Sequence, residues 1–319
     1  MRDADKVLIP RAAPADKPLV ESLTAPTQDA ISPAGAALRD KALKTLGALP
    51  PFSPILNRLL ASLAGEDVVF SKLADLIEKD TVVAGNVLHL VNSALYGRRG
   101  TVNSVRHALS LLGINRLRNA VLGMSISRMW KQVKPAASWS MSRFNMHSAA
   151  AAILSDLLAQ RLPVNYAEGA FVAGLLHDLG RMLIAVCLPA EHDQVLERHR
   201  TGKGPVSESE RSVLGFTHSE LSGQALALWN LPEAIHLAAR DHHAAPGAAA
   251  PSGELTLSRV VAAADQYVHS TGVSILPQRA PGKGADVAVL ERLGIDSERL
   301  EKLLAEFQAE FEAMSQFFH

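Results

Sequence analysis

Histidine and aspartate residues recur along the second half of the sequence in an order that could build a metal site. Five of the twelve histidines take part. The set is, in chain order, His147, His177, Asp178, His218, His242, His243 and Asp265. Imidazole nitrogens and carboxylate oxygens are ligands that zinc, manganese and iron readily accept. Because one carboxylate can bridge two ions, the set predicts a centre of one or two divalent metals, of the kind used in phosphate chemistry.

The local contexts of these residues favour their convergence inside the protein. His147 falls on the apolar face of its predicted helix, so its ring should point inward. His218 falls in the first turn of a helix that begins with the capping box of Thr217 and Glu220. Asp265 lies within a very apolar helix, where a carboxylate without a partner would be costly. It therefore needs a partner, which a metal or a histidine would supply.

Each of these residues, taken alone, also has an ordinary structural explanation. His147 could be a hydrogen-bonded core histidine, and His218 a capping or surface residue. The pair His242-His243 could be a solvated helix end, and Asp265 could pair with an arginine. Only the ordered set, and no single member of it, points to metal binding.

The elements that would position these residues are predicted to be helices. Alanine and leucine are abundant and aromatic residues make up 5% of the chain, which favours helices over sheets. Apolar periodicity, prolines and glycines place the clearest helices at 36–46, 82–91, 105–112, 115–130, 141–160, 167–178, 232–243, 255–269 and 297–318. The sequence has no run of strand-like alternation, so the predicted fold class is all-α.

Composition limits the class of protein. Hydrophobic residues make up 48% of the 319 residues and charged residues 20%, which is typical of a globular chain with a large core. The 32 basic residues balance 32 acidic ones, which gives no support for a protein that coats nucleic acid. The single cysteine, Cys187, excludes an intrachain disulfide framework and predicts a buried structural thiol.

Nothing in the sequence predicts export or a membrane span. The apolar runs fall short of the about 18 residues that cross a bilayer. The first residues also lack the apolar region of a secretory signal. We therefore expect a cytoplasmic protein.

The segment Ala173-Gly-Leu-Leu-His-Asp-Leu-Gly180 resembles the HD superfamily of metal-dependent phosphohydrolases. The superfamily order of His, His-Asp and Asp matches His147, His177, Asp178 and Asp265. The resemblance implies that these four residues hold one or two metals, with Asp178 as the bridging ligand.

The interposed histidines resemble the enlarged ligand set of the HD-GYP branch, which cleaves cyclic di-GMP. They are His218, His242 and His243. The chain departs from that branch because Ala244-Ala-Pro-Gly follows the His-His pair in place of a Gly-Tyr-Pro signature. The usual lysine after the His-Asp motif is replaced by Arg181, which could still contact a phosphate.

The rest of the chain resembles the HDOD domain, the HD-related output domain. The matching segments are Leu49-Pro-Pro-Phe52, Val91-Asn-Ser-Ala-Leu-Tyr-Gly97, His107-Ala-Leu-Ser-Leu-Leu-Gly113, Gly215-Phe-Thr-His-Ser-Glu-Leu-Ser-Gly223, Trp229-Asn-Leu-Pro232 and Asp241-His-His243. The resemblance spans roughly residues 40–270. It implies a multi-helix fold of two lobes, the C-terminal one HD-like, in a bacterial signalling output protein.

This resemblance and the linkers divide the chain into four parts. They are a flexible arm at 1–37, an N-terminal helical lobe at 38–135, an HD-like helical lobe at 136–270, and a loop with a terminal helix at 271–319. The oligomeric state stays open.

Two functions compete. The resemblance favours a regulatory module that binds a partner protein or a signalling nucleotide such as a cyclic dinucleotide. The alternative is a metal-dependent phosphohydrolase or phosphodiesterase, in which Asp178 and Arg181 would be the catalytic residues. There the metals would lower the pKa of a bound water and clamp the phosphate, while Arg181 would stabilise developing charge.

Two weaker features have simpler explanations. The basic cluster of Arg116, Arg118 and Arg128 is typical of a solvated helix face, so a nucleic-acid partner is not expected. Asn92, Ser93 and Tyr96 could line a ligand groove, but a helix end with a packed aromatic explains them better.

Overall fold

The computed structural model describes residues 31–50, 52–64, 70–93, 95, 101–244, 255–276 and 284–318. Within these residues the fold is all-α, as the composition predicts, and it contains no strand. A single β-bridge joins Val164 to Leu255. Residues 1–30 of the predicted arm lie outside the described residues, and so do Tyr96 and Gly97.

The helices follow one another with short connections. In chain order they are α1 (Pro33–Thr45), α2 (Pro54–Ala61), α3 (Phe70–Lys79), α4 (Thr81–Val91), α5 (Val105–Leu112), α6 (Ile114–Trp130), α7 (Met141–Ala159), α8 (Ala170–Leu176), α9 (Leu179–Cys187), α10 (Pro189–Thr201), α11 (Val206–Leu214), α12 (His218–Leu228), α13 (Glu233–Asp241), α14 (Leu257–Ser270), α15 (Ala288–Glu291) and α16 (Ser297–Ser315).

Side-chain caps determine where several of these helices begin. A Ser, Thr or Asp side chain accepts a first-turn N–H at the start of α1, α2, α4, α5, α7, α12, α14 and α16. At α12 the predicted capping box is present in full, with Thr217 and Glu220 each satisfying an N–H of the other. This cap fixes the first turn of α12, which carries His218.

Several helix bounds differ from the sequence prediction by one to three residues, and two of these differences bear on the packing and on the site. The first helix begins at Pro33 rather than 36, and the Ser32 side chain caps it. The predicted helix 167–178 ends earlier, because α8 stops at Leu176 and α9 begins at Leu179. The break therefore falls on His177-Asp178 itself.

The helices that carry the predicted ligands pack against one another in the second half of the chain. There α7 contacts α8 and α14, and α12 contacts α9 and α13. The first helix, α1, also packs on α9, α11 and α12, although it precedes the N-terminal helices in the chain. The last helix, α16, lies on α7. Buried apolar side chains from all these regions form one continuous cluster.

Two glycines allow the closest of these contacts. A Cβ atom on Gly174 would lie 2.7 Å from the carbonyl oxygen of Ala151 in α7. A Cβ atom on Gly180 would overlap the carbonyl oxygen of His218 in α12. Both obstacles are main-chain atoms, which cannot rotate away. Glycine at these positions therefore brings α8 and α9 against the helices that carry the other ligands.

The stretch Ala167–Cys187 corrects one expectation. The stretch is 21 residues long, and an 18-residue window within it has a mean hydropathy of 1.6, so by length and composition it could cross a membrane, whereas the sequence indicated no such run. In the fold, 89% of the tested window is buried inside the protein. Burial to this degree is typical of a core helix.

Candidate metal centre

The seven predicted ligands converge on one point in the second half of the molecule. They come from α7 (His147), the α8–α9 junction (His177 and Asp178), the start of α12 (His218), the end of α13 (His242 and His243) and α14 (Asp265). Their donor atoms form three overlapping groups, each with all atoms within 4.8 Å of one another. Six of the seven residues are buried, and His243 is exposed.

Asp178 lies between two sets of imidazoles. Its Oδ2 lies 3.5 Å from Nε2 of His177 and 3.7 Å from Nε2 of His147. Its Oδ1 lies 3.1 Å from Nε2 of His218 and 3.6 Å from Nε2 of His242. Each carboxylate oxygen therefore faces a different set of nitrogens, which is the arrangement that a bridging ligand needs.

Asp265 lies on the other side of the centre. Its Oδ1 is 3.1 Å from Nε2 of His147 and 3.7 Å from Nε2 of His177. Its Oδ2 is 3.9 Å from Nδ1 of His243. The buried carboxylate of α14 thus has histidine neighbours, which answers the need for a partner.

The hydrogen bonds of the rings orient their other nitrogens toward the centre. Nδ1 donates to a main-chain carbonyl over 2.7–2.9 Å in three pairs, His147 to Val273, His177 to Gly174 and His242 to Ala239. A carbonyl can only accept, so Nδ1 carries a proton, and Nε2 has a lone pair whenever the ring is neutral. Histidines that bind metals are commonly held in this way.

His242 gives the sharpest test of whether the residues fit a metal. Its Nε2 is buried and has no hydrogen-bond partner within the protein. Buried polar atoms are nearly always paired. Because Nδ1 already donates to Ala239, Nε2 carries a lone pair directed at Asp178 and its neighbours. The chemistry of the donor set therefore fits a divalent cation.

Glu210 of α11 is a site residue that the sequence analysis missed. It is 3% exposed, and its Oε2 accepts hydrogen bonds from His218 Nδ1 over 2.6 Å and from the His218 main-chain N–H over 3.0 Å. A carboxylate behind a histidine makes the ring a stronger metal ligand. One signal was available, since Glu210 lies on the same face of α11 as the apolar residues Val206 and Leu214, one turn before it and one turn after it.

Arg181 lies beside the centre and contacts protein carboxylates. Its Nε donates to Asp178 Oδ1 over 2.9 Å, and its Nη1 is 3.8 Å from Glu210 Oε1. Its side chain is 12% exposed. The geometry shows an arginine that positions Asp178, while a contact between Arg181 and a phosphate stays a prediction.

Electrostatics keep the carboxylates ionised. Burial raises the pKa of Asp178, but Arg181, His177 and His218 outweigh it and hold that pKa well below its usual range. Burial lowers the pKa of His177, but Asp178 and Asp265 outweigh it and raise that pKa to about 9. A metal that binds His177 must therefore displace a proton, which makes its affinity pH-dependent.

The pKa of His243 is shifted in the opposite direction from that of His177. Burial, together with His242 and His218, lowers the pKa of His243 to about 2. Its ring is therefore neutral and able to coordinate over the whole physiological pH range. Its Nε2 lies 3.0 Å from Nε2 of His218, and 34% of its side chain is exposed. Of the seven candidate ligands, His243 is thus the one that solvent reaches.

Three of the weaker candidates from the sequence, Asn92, Arg116 and Arg128, have structural roles. The Asn92 side chain donates to the carbonyls of Leu88 and Val102 and accepts from the Val102 N–H, so it ties the end of α4 to a later turn. In the basic cluster, Arg116 pairs with Glu306 and Glu310 of α16. Arg128 pairs with Asp80 at 3.1 Å.

The chain is similar to known proteins in both sequence and fold. The HDOD domain family matches residues 49–245 of the chain. A crystal structure of an HDOD domain protein of unknown function from Geobacter sulfurreducens superimposes with a TM-score of 0.70 at 24% identity, over 89% of this chain and 97% of that one. A Shewanella amazonensis SB2B protein, provisionally named a phosphohydrolase, gives a TM-score of 0.67 at 21% identity, over 88% and 98%. At these identities the likeness shows the fold.

Two further similarities are partial in length. A Marinobacter aquaeolei VT8 protein, provisionally named a signal transduction protein, gives a TM-score of 0.65 at 25% identity, over 89% of this chain and 66% of that one. An uncharacterized protein of Treponema pallidum (strain Nichols) is 23% identical over 272 residues. That alignment covers 83% of this chain, which spans 50% of the curated relative.

Proposed function

The chain belongs to the HDOD domain family, and on that premise we propose that it is a signalling module whose HD-like half holds one or two divalent metal ions. The observation that carries this proposal is the position of Asp178, with one carboxylate oxygen toward each of two sets of buried imidazoles. The fixed Nδ1 protons, which leave the Nε2 lone pairs directed inward, support it further.

The donor set indicates which residues would hold which ion. The first ion would take His147, His177, Asp265 and Asp178 Oδ2. The second would take His218, His242, His243 and Asp178 Oδ1. A set this rich in imidazole suits iron, manganese or zinc better than calcium or magnesium, which prefer oxygen ligands.

Burial favours a regulatory role over turnover. All of the proposed ligands except His243 are buried, and Arg181 is engaged with Asp178 and Glu210. Metals held in this way would chiefly fasten α7, α12, α13 and α14 together. The surface that these helices shape would then be recognised in the cytoplasm by a partner protein or by a signalling nucleotide such as a cyclic dinucleotide.

Metal content of the purified protein tests the proposal. We expect one or two equivalents of a transition metal in the wild-type chain and less than half of that in His177→Ala and Asp178→Ala. The exposed His107 of α5 provides a matched control, because His107→Ala removes an imidazole far along the chain from the centre. Equal metal content in all four proteins would reject the metal centre.

Hydrolysis of phosphate esters is the second candidate function. It is favoured by the bridging position of Asp178, and a structural neighbour carries the provisional name phosphohydrolase. Bound metals would supply an activated water and a phosphate clamp. The chain would contribute His243 at the exposed side and Arg181 as the positioning group for Asp178.

A panel of phosphodiesters and phosphomonoesters separates the two functions. Turnover by the metal-loaded protein that disappears in Asp178→Ala would establish the hydrolase. A metal-loaded protein with no turnover, which retains a partner in pull-down experiments, would establish the regulatory module. Brisk turnover without any partner would reject the regulatory module.

A further inference from the structure

A small cavity lies behind the metal centre, on the side of Arg181 and Glu210. Trp139 and His192, whose rings are in contact, form one of its walls, and Ile184 and Leu196 also line it. Its volume is about 10 Å³. By the same measure, one water molecule needs roughly this much space.

Two nitrogen atoms on this wall lack a partner in the protein. They are Nε1 of Trp139 and Nε2 of His192, and both are buried. His192 is 5% exposed as a residue, and its ring meets the Trp139 ring edge to face at 5.7 Å between centroids. Buried polar atoms without partners are rare, so these two atoms indicate a ligand from outside the chain.

We propose that this cavity binds one water molecule, which links Trp139 and His192 to Glu210. Each of the three hydrogen bonds of this water then has one donor and one acceptor. The indole N–H of Trp139 can only donate, so it donates to the water oxygen. The water then donates one hydrogen to Glu210 Oε1, since Oε2 already accepts from His218. It donates the other to Nε2 of His192.

The protonation state of His192 agrees with its role as a hydrogen-bond acceptor. Burial lowers the pKa of His192, so its ring is neutral and one nitrogen carries a lone pair. Water is a ligand that can accept one bond and donate two within a small space.

The water connects the metal centre to the segment that joins the two halves of the molecule. Trp139 lies in the connection between α6 and α7, which is also fixed by the Ala136 N–H to the Ala185 carbonyl. Glu210 holds His218. This coupling rests on the proposed function, because a metal on His218 would shift Glu210, and the water would transmit the shift to Trp139.

Indole NMR of metal-free protein, labelled with ¹⁵N at tryptophan, tests the water site itself. The chain has three tryptophans, and Trp139→Phe identifies the signal of interest. We expect a cross-peak between the Trp139 indole proton and a long-lived water. The cross-peak should persist in His192→Gln, which keeps an acceptor, and disappear in His192→Leu. A wild-type protein without the cross-peak would overturn the proposal.

A zinc titration of the same sample tests the coupling. We expect the Trp139 indole signal to shift as zinc binds, while the signals of Trp130 and Trp229 move less. Bound zinc with an unmoved Trp139 signal would overturn the coupling. If no zinc binds, the proposed function fails, and the cross-peak in the metal-free protein still decides the water site.

Discussion

At the scale of single residues, buried neighbours hold two of the candidate metal ligands, Asp178 and His218, in position. Asp178 is fixed by Arg181, whose Nε donates to Oδ1 over 2.9 Å. His218 is fixed by Glu210, which accepts its Nδ1–H over 2.6 Å. His218 Nε2 and Asp178 Oδ1 face each other at 3.1 Å, and Arg181 lies 3.8 Å from Glu210. The four residues form a buried ring of alternating acids and bases.

Glu210→Gln should weaken metal binding by roughly 10- to 100-fold, as loss of a supporting carboxylate typically does. The amide keeps the size of the side chain but removes the charge that makes His218 a stronger ligand. Competition with a chromogenic chelator measures the affinity. Glu208→Gln changes an exposed glutamate of the same helix and should have little effect. Equal affinities of Glu210→Gln and the wild type would show that Glu210 does not support the centre.

The sequence was more informative about the candidate ligands than about the residues that support them. The residue types and their order in the chain predicted the seven candidate ligands, because histidine nitrogens and carboxylate oxygens are donors that divalent metals accept. Glu210 could not be assigned, since it supports His218 only because α11 folds back over the start of α12. The role of Arg181 also depended on tertiary structure, because its two carboxylate neighbours come from different parts of the chain.

At the scale of elements, close helix contacts place the ligands. The α8–α9 junction carries His177 and Asp178 between α7 and α12, and glycine permits the approach on both sides. The Gly180 N–H also donates to the Ser222 side chain of α12 over 2.8 Å. Periodicity missed the break between α8 and α9, because the apolar residues continue through it.

Gly180→Ala should destabilise the protein by about 2–3 kcal/mol and reduce metal content, because the new methyl group overlaps the His218 carbonyl. Chemical denaturation and metal analysis measure the two effects. Gly85→Ala is the matched control, since Gly85 lies in α4 with no atom within 4 Å of the added Cβ. It should stabilise the protein by about 0.5–1 kcal/mol through helix propensity. Similar effects of the two substitutions would contradict the packing argument.

Partly buried carboxyl groups couple α16 to α6 and α7. Glu306 pairs with Arg116 and Arg161, and Glu310 lies 3.0 Å from Arg116. Burial raises the pKa of Glu310 to about 7, against the pull of Arg116 and with the help of Glu306 and Asp156. Folding therefore favours the protonated form of Glu310, and its contribution to stability falls as pH rises from about 4.5 through 7.

Glu310→Gln should remove this pH dependence. We expect the variant and the wild type to have the same free energy of unfolding near pH 5. Near pH 8 the variant should be more stable by roughly 1–2 kcal/mol, because a raised pKa destabilises the folded state once the carboxyl group is ionised, and partial exposure reduces that cost. Denaturation at both pH values measures the difference. Glu306→Gln, one turn earlier, loses ion pairs to two arginines and should be destabilised at both pH values. A Glu310→Gln variant that is less stable near pH 8 would contradict the argument.

At the scale of the whole molecule, the two halves share one core. The Trp229 ring, after α12, meets Phe52 at 4.9 Å and Trp130 at 6.5 Å between centroids, and both of those residues belong to the first half. From the other direction, α1 packs on α9 and α12, and Phe318 lies against Gly123 of α6. The sequence could not predict these contacts, because they join segments far apart in the chain. The division into lobes stays a prediction.

Metal removal should therefore lower the stability of the whole chain in a single transition. A ligand present at about 100 times its Kd stabilises a folded protein by about 2.7 kcal/mol, which corresponds to roughly 4 °C in Tm for a chain of this size. We expect a chelator to shift one calorimetric transition downward by this amount, because the core is continuous across both halves. Asp178→Ala, with or without chelator, should unfold at the lower temperature. Two transitions, only one of which responds to the chelator, would show that the halves unfold independently and that the metal centre is not coupled to the N-terminal helices.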